Sequence, residues 1–271
     1  MISFPKAKIN LGLRVTGKRT DGYHDIETVF YPVGLSDALE FVLSKQKSGD
    51  EIVVTGLDIK TRKENNLVIK ALEAFRRRHP VPPLRIHLHK AIPSGAGLGG
   101  GSSDAACMIR SLAKFLDLDS NLDEIKEVAL EIGSDCPFFA DPVPSAASGR
   151  GEILKPVKSI LEGYHILLVN PGITISTKEA YYNTRITTPE TSLEELIMLP
   201  LKRWKKLIIN DFEDYAFRLY PQIEDLKKSL YKAGASYSSM SGSGSTIYGI
   251  FEEKPGIPEK IRKYVIYDGL L

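Results

Sequence analysis

The chain reads as an α+β protein of two domains, and three observations predict it. At 271 residues it is near the size at which one hydrophobic core stops growing, so two packed domains are expected. Stretches with strand period and stretches with helix period follow one another irregularly, without the steady βαβα rhythm of a parallel doubly wound sheet. No internal repeat or low-complexity tract points to an array or a tail instead.

Residues 7 to 15 alternate Ile9, Leu11, Leu13 and Val15 with Lys8, Asn10 and Arg14, the pattern of a strand with its polar residues aimed outward. A turn over Lys18 to Gly22 leads into a second extended run, Tyr23 to Phe30, and shorter β-like runs follow at Ala38 to Leu43 and Glu51 to Val54. Asn66 to Arg78 has a helical stripe in Leu67, Leu72 and Phe75, with Asn65 or Asn66 as cap. Leu84 to His89 alternates again, and helical spacing resumes with Ala105, Ile109, Leu112 and Leu116, where Ser102 or Ser103 is placed to cap and Asp104 falls in the first turn. Leu122 to Ile132 predicts a further helix, stopped by Gly133. The stretch from Asp141 to Gly151, rich in proline, glycine and alanine, predicts the approach to a domain boundary near Val157. That gives domains over 1–157 and 158–271. Beyond it lie an apolar strand at Tyr164 to Val169, a helix from Ser176 or Thr177, an amphipathic helix at Pro221 to Ala233, a strand at Thr246 to Phe251, and a last short helix and strand ending near Tyr267.

Between the strand ending at His89 and the next helix stands Pro93-Ser94-Gly95-Ala96-Gly97-Leu98-Gly99-Gly100-Gly101-Ser102-Ser103, with five glycines in seven positions. A plain connection of this kind needs about 2 to 6 residues and one or two glycines. Glycines let backbone N–H groups approach an anion, and a helix start points its unsatisfied N–H groups and positive dipole end at the same place. The loop therefore predicts a phosphate cradle. It is not a Walker P-loop, since no Lys-Ser or Lys-Thr follows, and it is a poor dinucleotide fingerprint.

Composition narrows the class. Hydrophobic residues make up 42% of the chain, and 36 Lys and Arg against 34 Asp and Glu leave a net charge of +2, which argues against a protein that coats nucleic acid or an anionic membrane. No window reaches a membrane-spanning length of apolar residues and the N-terminus lacks a signal-peptide core, so a soluble, cytoplasmic protein is expected. Cys107 and Cys136 form neither a metal pattern nor a disulfide framework. His87 and His89 share a strand face without a third ligand, the pattern of a solvated face. The basic runs Arg76-Arg77-Arg78-His79 and Lys202-Arg203-Trp204-Lys205-Lys206 suit an RNA-binding role or exposed helix ends, and near-neutral charge favours the latter.

Taken together, Ala7-Lys8-Ile9-Asn10-Leu11, Asp21-Gly22-Tyr23-His24, Gly97 to Ala106, Asp135-Cys136-Pro137-Phe138-Phe139 and Met240 to Ser245 resemble the GHMP kinase superfamily. The first two motifs point to its methylerythritol branch over galactokinase, homoserine kinase or mevalonate kinase. Two features depart from the family pattern or vary within it: Lys6 stands where the family has proline, with Pro5 one place earlier, and Arg150 occupies a variable position. The resemblance implies an N-terminal ribosomal-protein-S5-like domain, a C-terminal ferredoxin-like α/β sandwich and an active site in the cleft between them. It implies ATP-dependent phosphorylation of an alcohol on a small molecule, a cytidine diphosphate derivative of methylerythritol, by a monomer or weak homodimer with no nucleic-acid or membrane partner.

The implied roles follow the motifs. ATP's triphosphate lies across Gly95 to Ser103, with Mg²⁺ required because a helix end supplies only about half a charge; Ser102 or Ser103 touches the metal or its waters. Asn66 contacts adenine or caps its helix. Asp135 acts as base toward the attacking hydroxyl and Lys8 stabilises developing charge, whereas the bare sequence reads Asp135 as a helix cap before Pro137. A carboxylate in this role accepts the proton late, in a loose transition state where positioning carries most of the catalysis. Tyr23 and Tyr181 (or its neighbour Tyr182) sandwich cytosine, His24 supplies edge hydrogen bonds, Asn10 and Thr177 meet the erythritol or diphosphate, and Gly242, Ser243 and Gly244 bring further backbone donors. A ligand sensor on the same fold is a rival reading, against which Lys8 and Asp135 both being present argues.

Overall fold

The computed structural model describes residues 1–45, 49–58, 63–118 and 122–271. In chain order come strands β1 (Ile2–Ser3), β2 (Lys6–Lys18), β3 (His24–Ser36), β4 (Ala38–Leu43) and β5 (Glu51–Gly56), helix α1 (Leu67–Arg76) and strand β6 (Leu84–Lys90). Helices α2 (Gly100–Phe115), α3 (Leu122–Leu130) and α4 (Cys136–Ala140) follow, then strands β7 (Ser145–Ser148), β8 (Ile153–Pro156) and β9 (His165–Val169). Helices α5 (Thr177–Tyr182), α6 (Leu193–Leu196), α7 (Leu201–Leu207), α8 (Glu213–Leu219) and α9 (Pro221–Lys232) precede strands β10 (Tyr237–Met240) and β11 (Ile247–Phe251), helix α10 (Glu259–Arg262) and strand β12 (Val265–Leu270). This is the α+β class that the irregular order predicts.

Contacts gather the chain into two units, neither of them one run of sequence. One comprises Met1–Ala7, Leu35–Ser94 and Gly99–Pro142; the other comprises Lys8–Gly34, Gly95–Leu98 and Val143–Leu271. The boundary expected near Val157 divides the sequence, whereas contacts group most of β2 and β3 with the C-terminal segment, because β3 pairs with β7 in the register Thr28↔Ala147.

In the first unit the sheet order is β1-β4-β6-β5, with β5 parallel to β6 and the other pairs antiparallel. Strand β6 alternates strictly: Leu84, Ile86, Leu88 and Lys90 are buried, while Arg85, His87 and His89 are exposed. The inward leucines and isoleucine pack with Val68, Leu72 and Phe75 of α1 and Met108, Ile109 and Leu112 of α2. The outward histidines form the solvated face that the sequence predicts, each bonded to the Thr55 hydroxyl, at 2.9 Å for His87 Nε2 and 3.0 Å for His89 Nδ1.

In the second unit two antiparallel sheets run β2-β3-β7-β8 and β10-β11-β9-β12. The segment from Asp141 to Gly151 contains the passage from the first unit to the second, at Pro142 and Val143, and β7 and a turn follow within it. Its Ser-Ala-Ala-Ser core has little β-propensity of its own and takes its strand form from pairing with β3 and β8. Leu13 and Val15 of β2 share a core with Leu167 and Val169 of β9, Phe212, Ile223 and Leu226 of the helical region, and Met240 and Ile247 beside the second glycine–serine loop.

Candidate active site

The start of α2 differs from expectation. The N-cap is Gly99 in a left-handed conformation, and neither Ser102 nor Ser103 caps. Ser103 lies one turn inside: its N–H reaches Gly99 O at 2.9 Å and its hydroxyl donates to Lys6 O at 2.7 Å. Asp104 is not in the first turn but buried behind it, where Lys90 Nζ reaches its carboxylate at 2.6 Å and also pairs with Asp37. Asp37 Oδ1 accepts the N–H groups of Ala91 and Ile92 at 2.6 and 2.8 Å, so this buried cluster of Lys90, Asp37 and Asp104 pins the chain as it leaves β6 for the glycine loop. Burial outweighs the pull of Lys90 and raises Asp104 to about 8, and its Oδ1 has no hydrogen-bond partner.

Gly95, Gly97 and Gly99 all have positive φ, at 63°, 78° and 69°. Over residues 96–98 the carbonyls are taken by protein donors: Ala96 O accepts from Thr246 N–H, Gly97 O from the Ser241 hydroxyl at 2.8 Å and the Lys8 ammonium at 3.3 Å, and Leu98 O from Lys8 N–H at 3.0 Å. A trans peptide points its N–H opposite its carbonyl, so this turns the donor side of the loop the other way, as an anion requires. At Gly97 a Cβ would fall far inside contact distance of the Ser241 carbonyl oxygen.

Lys8 and Asn10 do not face outward as the period predicts but are 4% and 1% exposed, because they pair with each other: the Lys8 ammonium lies 2.5 Å from Asn10 Oδ1 and 4.8 Å from the centre of the Phe30 ring. Asn10 Nδ2 donates to Thr28 Oγ1 at 2.9 Å, and the Thr28 hydroxyl donates to Gly12 O. The Ser241 hydroxyl accepts from Asn10 N–H at 3.2 Å while donating to Gly97 O, which ties the two glycine–serine loops through one side chain. Asn10, expected against the substrate, is thus engaged in holding Lys8. In the second loop Gly242 and Gly244 have φ of 55° and 92°, and the Ser243 and Thr177 hydroxyls are 2.9 Å apart.

The His24 and Tyr181 rings stack at 4.9 Å and 15°, and Phe212 meets Tyr181 edge-on at 4.9 Å. Tyr182 is 88% exposed, so Tyr181 is the structured member of that pair. Tyr23 is 55% exposed with the Arg150 guanidinium 5.0 Å over its ring.

Asn66 is the N-cap of α1, its Oδ1 accepting from Val68 N–H at 2.9 Å. Asp135 stands at the N-cap position of α4, yet makes no side-chain capping hydrogen bond, so the capping role read from the bare sequence is not performed by its carboxylate. The adjacent Cys136 thiol is pushed up to about 12 by burial and is no nucleophile.

The basic runs are engaged within the protein. Arg76 pairs with Asp50, Arg77 with Glu131, Arg78 with Glu127 and Glu131, and His79 with Glu124. Trp204 is core and bonds Leu199 O through its indole N–H. Among the described residues no group of three or more His, Cys, Asp or Glu is placed to hold a metal, and no helix is long and apolar enough to cross a membrane. Sequence reasoning missed Thr28, Lys90 and Asn210, whose roles come from burial and from partners distant in sequence.

Comparison with known proteins agrees along the whole chain. Residues 66–147 match the GHMP kinases N terminal domain and residues 193–266 the GHMP kinases C terminal domain. Proteins called 4-diphosphocytidyl-2-C-methyl-D-erythritol kinase are 49% identical in Parabacteroides distasonis and 47% in Bacteroides thetaiotaomicron, in each case over 96% of this chain and 95% of the relative. A crystal structure of 4-(cytidine 5'-diphospho)-2C-methyl-D-erythritol kinase superposes with a TM-score of 0.78 at 32% identity, covering 94% of this chain and 91% of that one. Homoserine kinase from Cytophaga hutchinsonii, at 18% identity, TM-score 0.63 and coverage of 92% and 86%, shares the fold. With both family models matched and near-half identity over almost its full length, the chain belongs to the GHMP kinases, in the 4-diphosphocytidyl-2-C-methyl-D-erythritol kinase family.

Proposed function

We propose that this kinase transfers the γ-phosphoryl group of ATP to the 2-hydroxyl of 4-diphosphocytidyl-2-C-methyl-D-erythritol, a step of the non-mevalonate isoprenoid pathway. The observation that carries the phosphate half is the engagement of the Ala96, Gly97 and Leu98 carbonyls by Thr246, Ser241 and Lys8, which orients this loop for an anion. The relatives' names support the acceptor.

ATP is held by backbone N–H groups of Gly95 to Ser103, with adenine at the amide of Asn66. No protein carboxylate cage is present among the described residues, which suits Mg²⁺ held chiefly by phosphates and water, with the hydroxyl of Ser102 or Ser103 as the protein's contribution. Bound there, Mg²⁺ neutralises charge on the phosphates. Asp135 accepts the proton of the attacking hydroxyl, and Lys8, fixed by Asn10, stabilises the charge that develops on transfer. Tyr181, with Tyr23, stacks the cytosine, and His24 reads its edge; stacking itself tolerates any base. Thr177 with Ser243, and the Gly242 and Gly244 amides, meet the acceptor's polar end. Two segments, 1–157 for ATP and 158–271 for the GHMP C-terminal part, fit the positions of the two family models on either side of Val157. The protein works in the cytoplasm as a monomer or weak homodimer.

The test is ATP-dependent turnover of this acceptor against galactose, homoserine and mevalonate. Turnover of one of the latter with none of the former overturns the proposal. In the same assay Asp135→Ala lowers kcat by about a thousandfold or more with ATP affinity within a few-fold; near-normal turnover removes Asp135 as the base.

A further inference from the structure

Four consecutive residues of the second unit, Asn210-Asp211-Phe212-Glu213, grip three parts of that unit, with Asn210 and Glu213 meeting at Met240. Asn210 is 3% exposed, and its Nδ2 donates to Met240 O and Gly242 O, both at 2.8 Å, while its Oδ1 accepts from Phe212 N–H at 2.9 Å. Both amide hydrogens and the acceptor are engaged. Asp211 Oδ2 accepts from Val15 N–H at 2.9 Å. Phe212 sets its edge against Tyr181. Glu213 Oε1 accepts from Met240 N–H at 2.8 Å and the Ser239 hydroxyl at 2.9 Å, and its other oxygen pairs with Lys227 at 2.6 Å. The residues bracketing Ser241 are therefore held on both sides: Met240 through N–H and carbonyl, Gly242 through its carbonyl.

We infer that Asn210–Glu213 is a positioning clamp that sets the Ser241–Ser245 loop and the Tyr181 ring together, so that one tetrapeptide fixes both the Gly97 contact and the base-stacking ring. Ser241 reaches Gly97 O and Asn10 N–H from the point that Asn210 and Glu213 hold. The inference rests on the proposed function for the roles of the loop and of Tyr181, and on geometry alone for the clamp. A residue that merely stabilised the fold would change the amount of folded enzyme and leave Michaelis constants untouched.

Asn210→Asp keeps the shape and the acceptor for Phe212 N–H, but turns a carboxylate oxygen toward two carbonyls. In the full-length protein, kcat is expected to fall about 30-fold or more with KM for the cytidine acceptor raised several-fold. Phe212→Leu, which keeps the fold-forming bulk, is expected to raise KM for the acceptor about 5-fold with KM for ATP unchanged. Both variants keeping kcat and both KM values within twofold of the parent overturns the clamp. If Asn210→Asp does not fold, Phe212→Leu decides the kinetic question, and Glu213→Gln decides the loop. Backbone amide exchange separates this inference from the proposed function: with no substrate present, exchange at Ser241 to Thr246 is expected to quicken at least 10-fold in Asn210→Asp or Glu213→Gln, with the β9 amides unchanged. Unaltered exchange overturns the clamp even in an active enzyme, and quickened exchange supports it even if the parent phosphorylates another alcohol.

Discussion

The loop Gly95–Leu98 and the loop Ser241–Ser245 are both short and glycine-rich, yet they are anchored by different means. The first is held by its own backbone carbonyls, which accept from Thr246, Ser241 and Lys8. The second is held by a side chain brought from a distant segment, Asn210 on Met240 and Gly242, and by its own Ser245 hydroxyl, which reaches Ile173 O at 2.5 Å. At Gly97 the close approach of the Ser241 backbone leaves no room for a Cβ and so writes itself into the sequence as glycine. Side-chain anchoring leaves its mark thirty residues away, in a polar residue that could serve many purposes.

Substitutions at the glycines sharpen this contrast. Gly97→Ala is expected to have the largest effect, since the new methyl meets the Ser241 carbonyl oxygen and the residue must keep a positive φ. A clash with backbone combined with left-handed strain costs more than about 3 kcal/mol, enough to remove measurable ATP binding. Retained ATP affinity in a nucleotide titration would show that the loop has room to yield, and the contrast would fail. Gly244→Ala comes next. Its methyl meets Met240 Sδ at 2.7 Å and Ile175 Cδ1 at 2.9 Å, which are side-chain tips able to move, so a loss of about 2 kcal/mol in stability is expected on thermal unfolding. An effect equal to that of Gly97→Ala would place both loops in one class.

The smallest effect concerns Asp104, which is buried against Lys90 in the first unit. Its carboxyl is raised to about 8, so between about pH 4 and pH 8 the folded protein holds a proton that the unfolded chain has released. Stability from this group then falls as pH rises through that window, at roughly one kcal/mol per pH unit or less. Asp104→Asn removes the titration, and its melting temperature relative to the parent is expected to climb steadily from pH 5 to pH 8. Parallel melting profiles would place the proton elsewhere in the Lys90 cluster.

Much of the fold was legible wherever periodicity was strong. Ile9, Leu11, Leu13 and Val15 announce β2, Leu84, Ile86 and Leu88 announce β6, and Ile223, Leu226 and Leu230 announce α9. Strands β7 and β8 were not legible, because Ser145-Ala146-Ala147-Ser148 carries no pattern and its extended form is imposed by partners distant in sequence. The helices between residues 193 and 219 run only 4 to 7 residues, too short to display a period. At the site, glycine spacing disclosed the first loop, but the start of α2 was misplaced by about three residues because Gly99 caps through backbone conformation, a role that no side-chain preference advertises. Lys90 and Asp104 looked like an ordinary strand-end lysine and a helix-start aspartate, and only burial makes them partners.

The pairing of β3 with β7 and the bonds from β2 to Asp211 also set an order of events in time. Val15 and Asp211 are 196 positions apart. At a synthesis rate of about 5–20 residues per second, the first long strand waits roughly 10 to 40 seconds for the segment that completes its hydrogen bonds. Through that interval the nascent chain carries the apolar ribbon of β2 with its burial incomplete, because Leu13 and Val15 share a core with Leu167, Val169 and Phe212, which do not yet exist. The stretch that bears Lys8 is thus among the first made and the last secured, and the protein's yield in a cell depends on keeping that ribbon from other chains until its own C-terminal half arrives.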